Sequence, residues 1–288
     1  MEQNKKIGLV VEGGAMRGIF SAGVLDAFIK NQFNPFDLCI GVSAGANNIS
    51  SYLAEMYKRS YKVYTEYNLR KEFISWKKYL TGGHFLDLDW VWDTTIKELP
   101  MDKKKIISSK SNFYIGVTEV KTGKIKYIKP NEKNIEVVLK ASCCVPGMYR
   151  NFVEIGEELY ADGGIADPIP VKEAINQGAD LIVVLRSRPS SYMMKQKRIF
   201  LKNILFRKHQ NLKYSIMNRH FIYQETIKFM RNKNDIHIIE VTPPKSFKTK
   251  ALTRNVAILK KDYKNGFNRG LILIDEIKEY VNKKILTK

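Results

Sequence analysis

The pentapeptide Gly41-Val42-Ser43-Ala44-Gly45 constrains this 288-residue chain more than any other stretch. It ends an apolar run at 38–42 (LCIGV), which reads as a short buried strand, and opens a segment from Ala44 to about Lys58 with helical spacing. A serine placed between a strand and a helix sits on a sharp turn in a strained backbone conformation. Gly41 and Gly45, two before and two after it, must then lack side chains for the turn to close. The amide of Ala44 and the helix N-terminus face any negative charge that develops beside the hydroxyl. In this context the pattern G-x-S-x-G predicts a nucleophile elbow on an α/β sheet.

A second glycine-rich loop lies upstream. Residues 6–11 (KIGLVV) read as a buried strand, followed by Glu12-Gly13-Gly14-Ala15-Met16-Arg17-Gly18. A helix then follows, with Ile19, Phe20, Val24, Leu25, Phe28 and Ile29 on one face. Two readings compete. A dinucleotide fingerprint would need a glycine where Ala15 stands and an acidic ribose ligand about 20 residues on, after a second strand. Here that second strand ends in the serine elbow instead. The alternative is a loop that supplies amide donors to an oxyanion on Ser43, with Arg17 either fixing the loop or neutralising charge. Strand–helix alternation implies a parallel sheet, so both loops sit at carboxyl ends of strands, and this favours the second reading.

A serine nucleophile needs a base. The chain has four histidines: His237 falls in a strand pattern, His209 and His220 in basic helical stretches, and His84 in Thr81-Gly82-Gly83-His84. None has the loop placement of a triad histidine. Asp162 precedes Gly163 and Gly164 at a strand end, where a tight turn allows close approach. Its carboxylate, tuned by a partly dry site, is a candidate to take the serine proton directly. On that motif alone, a simple Asx turn is the competing reading.

Taken in order, the glycine loop with Arg17-Gly18, the elbow GVSAGA and the later Asp-Gly-Gly resemble the patatin-like phospholipase family. The resemblance runs from about Ile7 to Val184. It is closest to the bacterial branch with Glu-Gly-Gly-Ala in place of Asp-Gly-Gly-Gly. It implies a three-layer α/β fold with a mainly parallel central sheet and helices on both faces. It also implies a Ser43–Asp162 catalytic dyad and an oxyanion hole from the amides of Gly13, Gly14 and Ala15, acting on lipid acyl esters without a cofactor. Ala15 departs from the pattern, a difference that matters if the position requires positive φ.

The rest of the chain is organised around this core. Residues 60–110, with Trp76, Trp90 and Trp92, read as a cap-like insertion. A hairpin is predicted at 112–120 and 124–129 around Lys121-Thr122-Gly123, and a helix at 134–142. Next come a helix near 171–177 and a strand at 181–185. Basic helices near 196–208 and 211–232, a strand at 236–241 and a long helix over 255–285 complete the pattern. The expected organisation is a catalytic domain over 1–185 with a basic, mostly helical region over 186–288 packed on it.

Charge separates the two parts. Residues 1–185 carry 24 Lys and Arg against 22 Asp and Glu, whereas 186–288 carry 25 against 7, which places nearly all of the net +20 in the last third. Residues 195–213 interleave cations with Ile199, Phe200, Leu201, Ile204, Leu205 and Phe206. That pattern suits an amphipathic helix on an anionic membrane, or one packed on the domain with solvated lysines. A nucleic-acid or nucleotide-binding protein is the alternative that the charge suggests, though no recognised nucleic-acid motif is present. A catalytically silent scaffold on the same fold is another. The three cysteines (Cys39, Cys143 and Cys144) lack metal-ligand spacing, no apolar stretch reaches 18 residues, and the N-terminus lacks the apolar core of a signal peptide. The expectation is a reduced cytoplasmic protein with peripheral membrane contact.

Overall fold

The computed structural model describes residues 6–196, 206–233 and 236–286, with side chains through residue 282. Its strands are β1 (Ile7–Val11), β2 (Leu38–Val42), β3 (Asn112–Glu119), β4 (Ile125–Ile128), β5 (Val153–Ile155), β6 (Glu158–Asp162), β7 (Leu181–Leu185) and β8 (His237–Val241). Its helices are α1 (Ile19–Lys30), α2 (Ala44–Leu53), α3 (Arg59–Thr65), α4 (Trp76–Leu80), α5 (Leu88–Glu98), α6 (Lys103–Ile107), α7 (Ile135–Ser142), α8 (Val171–Asn176), α9 (Gln210–Asn232) and α10 (Val256–Leu286). The basic helix expected near 196–208 falls largely on 197–205, outside the described residues.

Strands β3, β2, β1, β7 and β8 run parallel in that order, and β4, β6 and β5 join antiparallel at the β3 end. Alternation along the strands builds two cores. Leu9, Val11, Cys39, Val183 and Leu185 point to one face and pack with Phe20, Val24 and Phe28 of α1. Val10, Leu38, Ile40, Ile182 and Val184 point to the other and meet Val171 and Ala174 of α8 and Tyr223, Ile227 and Met230 of α9. Burial on both faces explains why these strands read as unbroken apolar runs. The expected mixed α/β architecture, a central sheet flanked by helices, is what the chain forms.

Helix α2 stops at Leu53 rather than near Lys58. The Glu55 amide donates to the Tyr52 carbonyl at 2.9 Å and the Met56 amide to the Ser51 carbonyl at 3.0 Å, with Glu55 at φ +52°. This is a Schellman stop in which a glutamate takes the left-handed position, so no glycine announces it. The short strand β5, which makes a hairpin with β6, was also not foreseen.

Helix α10 lies so close to α1 that a Cβ on Gly266 would fall 2.1 Å from the Phe20 carbonyl oxygen. At this contact the buried Asp26 accepts hydrogen bonds from the Tyr263 hydroxyl at 2.7 Å and the Lys58 amide at 3.1 Å. Burial raises its pKa to about 6 despite those donors. A raised folded-state pKa gives stability that is complete below the unfolded value and lost as pH rises through 6. Asp26→Asn should therefore stabilise the protein at pH 7 by on the order of 1–3 kcal/mol. Urea melts at pH 7 and pH 5 should show that advantage shrinking toward the lower pH.

Candidate active site

Ser43 lies between β2 and α2 at φ +54°, ψ −129°, a conformation that costs a non-glycine residue on the order of 1–3 kcal/mol. The turn closes because its neighbours have no side chains. A Cβ on Gly45 would lie 2.3 Å from the Val11 carbonyl oxygen, and one on Gly41 2.7 Å from the Ala46 backbone. Gly45→Ala should cost at least about 2 kcal/mol in a urea melt, since the blocking atom is backbone and has no rotamer to change. The Ser43 amide donates to the Ser142 hydroxyl at 2.7 Å, which donates in turn to the Gly116 carbonyl at 2.7 Å. Helix α7 and strand β3 thus hold the turn from outside.

Strand register brings Asp162 to the serine. Val42 of β2 pairs with Gly116 of β3, and Asp162 of β6 pairs with Val117, the next residue along. Strand β4 overlaps both β2 and β6 along β3, so it holds the opposite edge. Strand β6 therefore takes over the edge that β2 leaves at Val42. The two strands meet end to end along that edge: β2 ends opposite Gly116 and β6 ends with Asp162 opposite Val117, so Ser43 follows Val42 at the level of Asp162, and the Ser43 Oγ donates to Asp162 Oδ2 at 2.7 Å. The second carboxylate oxygen accepts the Gly164 amide at 2.8 Å. A Cβ on Gly163 would lie 2.0 Å from the Gly116 carbonyl oxygen, so this turn also needs a bare backbone. The structure combines an Asx-type turn with a contact to the serine, so the two readings of the Asp-Gly-Gly motif are not exclusive.

Asp162 is 6% exposed, and burial raises its pKa. The positive charge of Arg219, then the Ser43 hydroxyl and the Gly164 amide, oppose that rise. Cys143 lines the other side, with its Sγ 3.9 Å from Ser43 Oγ and 3.2 Å from Asn47 Nδ2. Burial pushes its thiol pKa well up, so it stays protonated beside the serine. Neither Ser142 nor Cys143 was singled out from sequence. Both lie at the end of a predicted helix and carry no motif of their own.

The glycine loop packs directly on the elbow: a Cβ on Gly13 would meet Ser43 Cβ at 2.9 Å. The loop is held from behind. Glu12 accepts the Ser187 amide at 2.8 Å, and the Ser187 hydroxyl donates to the Gly13 carbonyl at 2.9 Å. Among the described residues the amides of Gly13, Gly14 and Ala15 have no hydrogen-bond acceptor. The Ala44 amide, at the first position of α2, has none within its helix either. Ala15 has φ +50°, so this position does adopt the backbone region that glycine favours. Gly18 is also fixed by space and bonding. Its carbonyl accepts from Asn48 at 2.8 Å, and a Cβ there would strike the Tyr64 hydroxyl at 2.2 Å. Arg17 is half-buried beyond the loop, its pKa lowered to about 10 by burial and then by the charge of Arg188.

All four histidines are occupied away from the serine. His84 accepts the Arg150 amide and stacks on Tyr149; His237 stacks on Tyr280; His209 packs edge-on to Phe152; His220 contacts the Met217 carbonyl. Ser43 opens instead onto a largely apolar cavity walled by Met16, Tyr64, Phe73, Leu88 and Trp92, most of it supplied by the 60–110 segment. Among the described residues no three His, Cys, Asp or Glu side chains converge as a metal ion requires. No described helix is long and apolar enough to cross a membrane.

Comparison with known sequences decides the family. The family model for patatin-like phospholipase matches residues 9–175, which run from within β1 through the glycine loop, the elbow and β6 into α8. The chain belongs to the patatin-like phospholipase family. Residues 209–282 of this patatin-like chain match a second model, a domain of unknown function (DUF6363). The chain is 35% identical over 273 residues to uncharacterized protein YjjU of Escherichia coli K12, covering 92% of this chain and 76% of YjjU. It is 27% identical over 195 residues to lysophospholipase NTE1 of Debaryomyces hansenii, covering 63% of this chain and 12% of that much longer protein. Among solved structures, VipD of Legionella pneumophila aligns with a TM-score of 0.49 at 13% identity, covering 95% of this chain and 67% of VipD.

Proposed function

We propose that this patatin-like protein hydrolyses lipid acyl esters through a Ser43–Asp162 dyad. The observation that carries the reading is the 2.7 Å hydrogen bond from Ser43 Oγ to Asp162 Oδ2, at the end of an apolar cavity and with no histidine in reach. As Oγ attacks the ester carbonyl, its proton passes to Asp162. The amides of Gly13, Gly14, Ala15 and Ala44 stabilise the tetrahedral oxyanion. Collapse of the intermediate expels the alcohol, which takes the proton from Asp162, and leaves an acyl-serine. Water then attacks the acyl carbon and gives its proton to Asp162, which returns it to Oγ as the Oγ–acyl bond breaks and the fatty acid leaves. The carboxylate works alone here as base and acid.

The remaining parts of the reading extend the organisation expected from the sequence. Residues 1–185 form the catalytic unit, with the 60–110 segment as the wall against which an acyl chain packs. The basic region over 186–288 docks it peripherally on anionic membrane through the cations of 195–213, a segment of which 197–205 lie outside the described residues and whose Phe206 and Leu212 are buried against Val120 and Ile165. The nucleotide-binding alternative is not favoured, because the glycine loop lies against Ser43 and Ala15 replaces the fingerprint glycine. Fluorophosphonate labelling with peptide mapping tests the core claim. The adduct is expected on Ser43 and absent from Ser43→Ala. A wild-type protein that neither labels nor cleaves short p-nitrophenyl esters would leave the silent-scaffold reading standing.

A further inference from the structure

Beyond the glycine loop lies a second cleft of opposite character. It is lined by Arg17, Ser187, Arg188, Lys248 and Lys250, with no acidic side chain in its wall. The Nε atoms of Arg17, Arg188 and Arg219 are buried and have no hydrogen-bond partner among the described residues. Arg186 and Arg269 each carry one such orphaned atom too, but they satisfy other nitrogens: Arg186 on Glu240 and Tyr223, Arg269 on Glu276. Arg17 feels both Arg188 and Arg219 as like charges. Two carboxylates lie behind the wall and both are committed: Glu12 to the Ser187 amide and to Arg186, whose Nε is 3.9 Å away, and the buried Asp262 to the Lys248 and Thr249 amides and the Thr249 hydroxyl. Converging arginines with unspent donors are costly unless an anion compensates them. The guanidinium fork matches tetrahedral phosphate oxygens better than any other side chain.

The cleft and the apolar cavity share their walls residue by residue. Met16 faces the cavity while Arg17 faces the cleft; Ala251 and Leu252 line the cavity while Phe247 to Lys250 line the cleft. The loop stands between them, with a Cβ on Gly13 meeting Ser43 at 2.9 Å and one on Gly14 meeting the Ser187 hydroxyl at 2.7 Å. We infer that the Arg17–Arg188 cleft binds a phosphate group, so that the site is bipartite, with a phosphate seat on one side of the oxyanion loop and an acyl channel on the other. Three of the four cations that line it (Arg188, Lys248 and Lys250) come from the basic last third, which gives part of that charge a specific task; Arg219 lies behind them, beside Gly164 and Asp162.

The phosphate could be the headgroup of the ester being cleaved, an assignment that rests on the hydrolase reading, or a free phosphate ester acting as effector. The test therefore begins without turnover. Calorimetric titration of the Ser43→Ala protein with inorganic phosphate and with sn-glycerol 3-phosphate should show saturable binding. Arg188→Gln, and separately the exposed pair Lys248→Gln/Lys250→Gln, should weaken it tenfold or more. In the Ser43-intact protein, the same substitutions should raise KM for a 1-acylglycerol 3-phosphate about tenfold. If the phosphate is a headgroup, kcat and the KM for the matching neutral monoacylglycerol stay unchanged. If binding falls but neither KM moves, the ligand is a free phosphate ester. Absence of saturable binding in Ser43→Ala, or equal affinity in the cleft variants, would overturn the inference. Retained phosphate binding without any ester hydrolysis would instead count against the dyad.

Discussion

Ser43→Ala is expected to lower kcat for a short p-nitrophenyl ester by on the order of 10⁴–10⁶, with Asp162→Asn comparable and the double variant no worse than the worse single. The magnitude follows from the route. Without Oγ there is no acyl-enzyme, and without the carboxylate the hydroxyl is a weak nucleophile near neutral pH. The lack of additivity is the sharper half. Ser43 and Asp162 share one proton across 2.7 Å, so either loss removes the same step. What survives would come from the free amides of Gly13, Gly14 and Ala15 acting on bound ester. Losses that multiply in the double variant would mean that the two residues act in separate steps. Circular dichroism should match wild type for all three proteins, because neither substitution adds volume at the turn.

Much of this site was legible because its constraints are local. The elbow needs small residues at fixed offsets, and each offset clashes with nearby backbone, which is why Gly41 and Gly45 could be read without coordinates. Strands β2 and β7 fell at the expected residues because runs buried on both faces are continuous and bounded by turn residues. Non-local features were not legible. Asp162 could be nominated from its glycines, but what places it is the handover of one edge of β3 from β2 to β6, and pairing register leaves no mark in a single segment. Ser142, which fixes the elbow amide, is an ordinary helix-terminal serine until α7 is packed. The end of α2 was misplaced because Glu55 takes a position where glycine is the usual signal. The arginines of the phosphate cleft lie far apart in sequence, so composition showed their charge and only the fold shows their convergence.

Protonation of Asp162 gives the second large expected effect, on both rate and stability. Burial raises its pKa, and the acting form is the carboxylate, so kcat/KM should climb with pH along a limb displaced above the ordinary carboxylate range near 4. Arg219 is the strongest of the influences opposing that rise. Arg219→Gln should move the limb to still higher pH while leaving the plateau rate within about threefold, since Arg219 acts through the charge of Asp162. The sign for stability is opposite. A group with a raised folded-state pKa contributes stability that is complete below its unfolded value and disappears as pH rises through the folded one. Once ionised, the buried Asp162 is therefore a cost to the fold, one that the proposed dyad chemistry requires. Asp162→Asn keeps an acceptor for the Gly164 amide and removes the charge, so it should melt higher than wild type at pH 7.5. Its lead should shrink as pH falls and wild-type Asp162 takes up a proton. An inactive variant that is also more stable separates loss of the base from loss of the fold. A limb near pH 4 that ignores Arg219, or an Asp162→Asn protein that melts lower at every pH, would show that the carboxylate is held for structure rather than poised as a base.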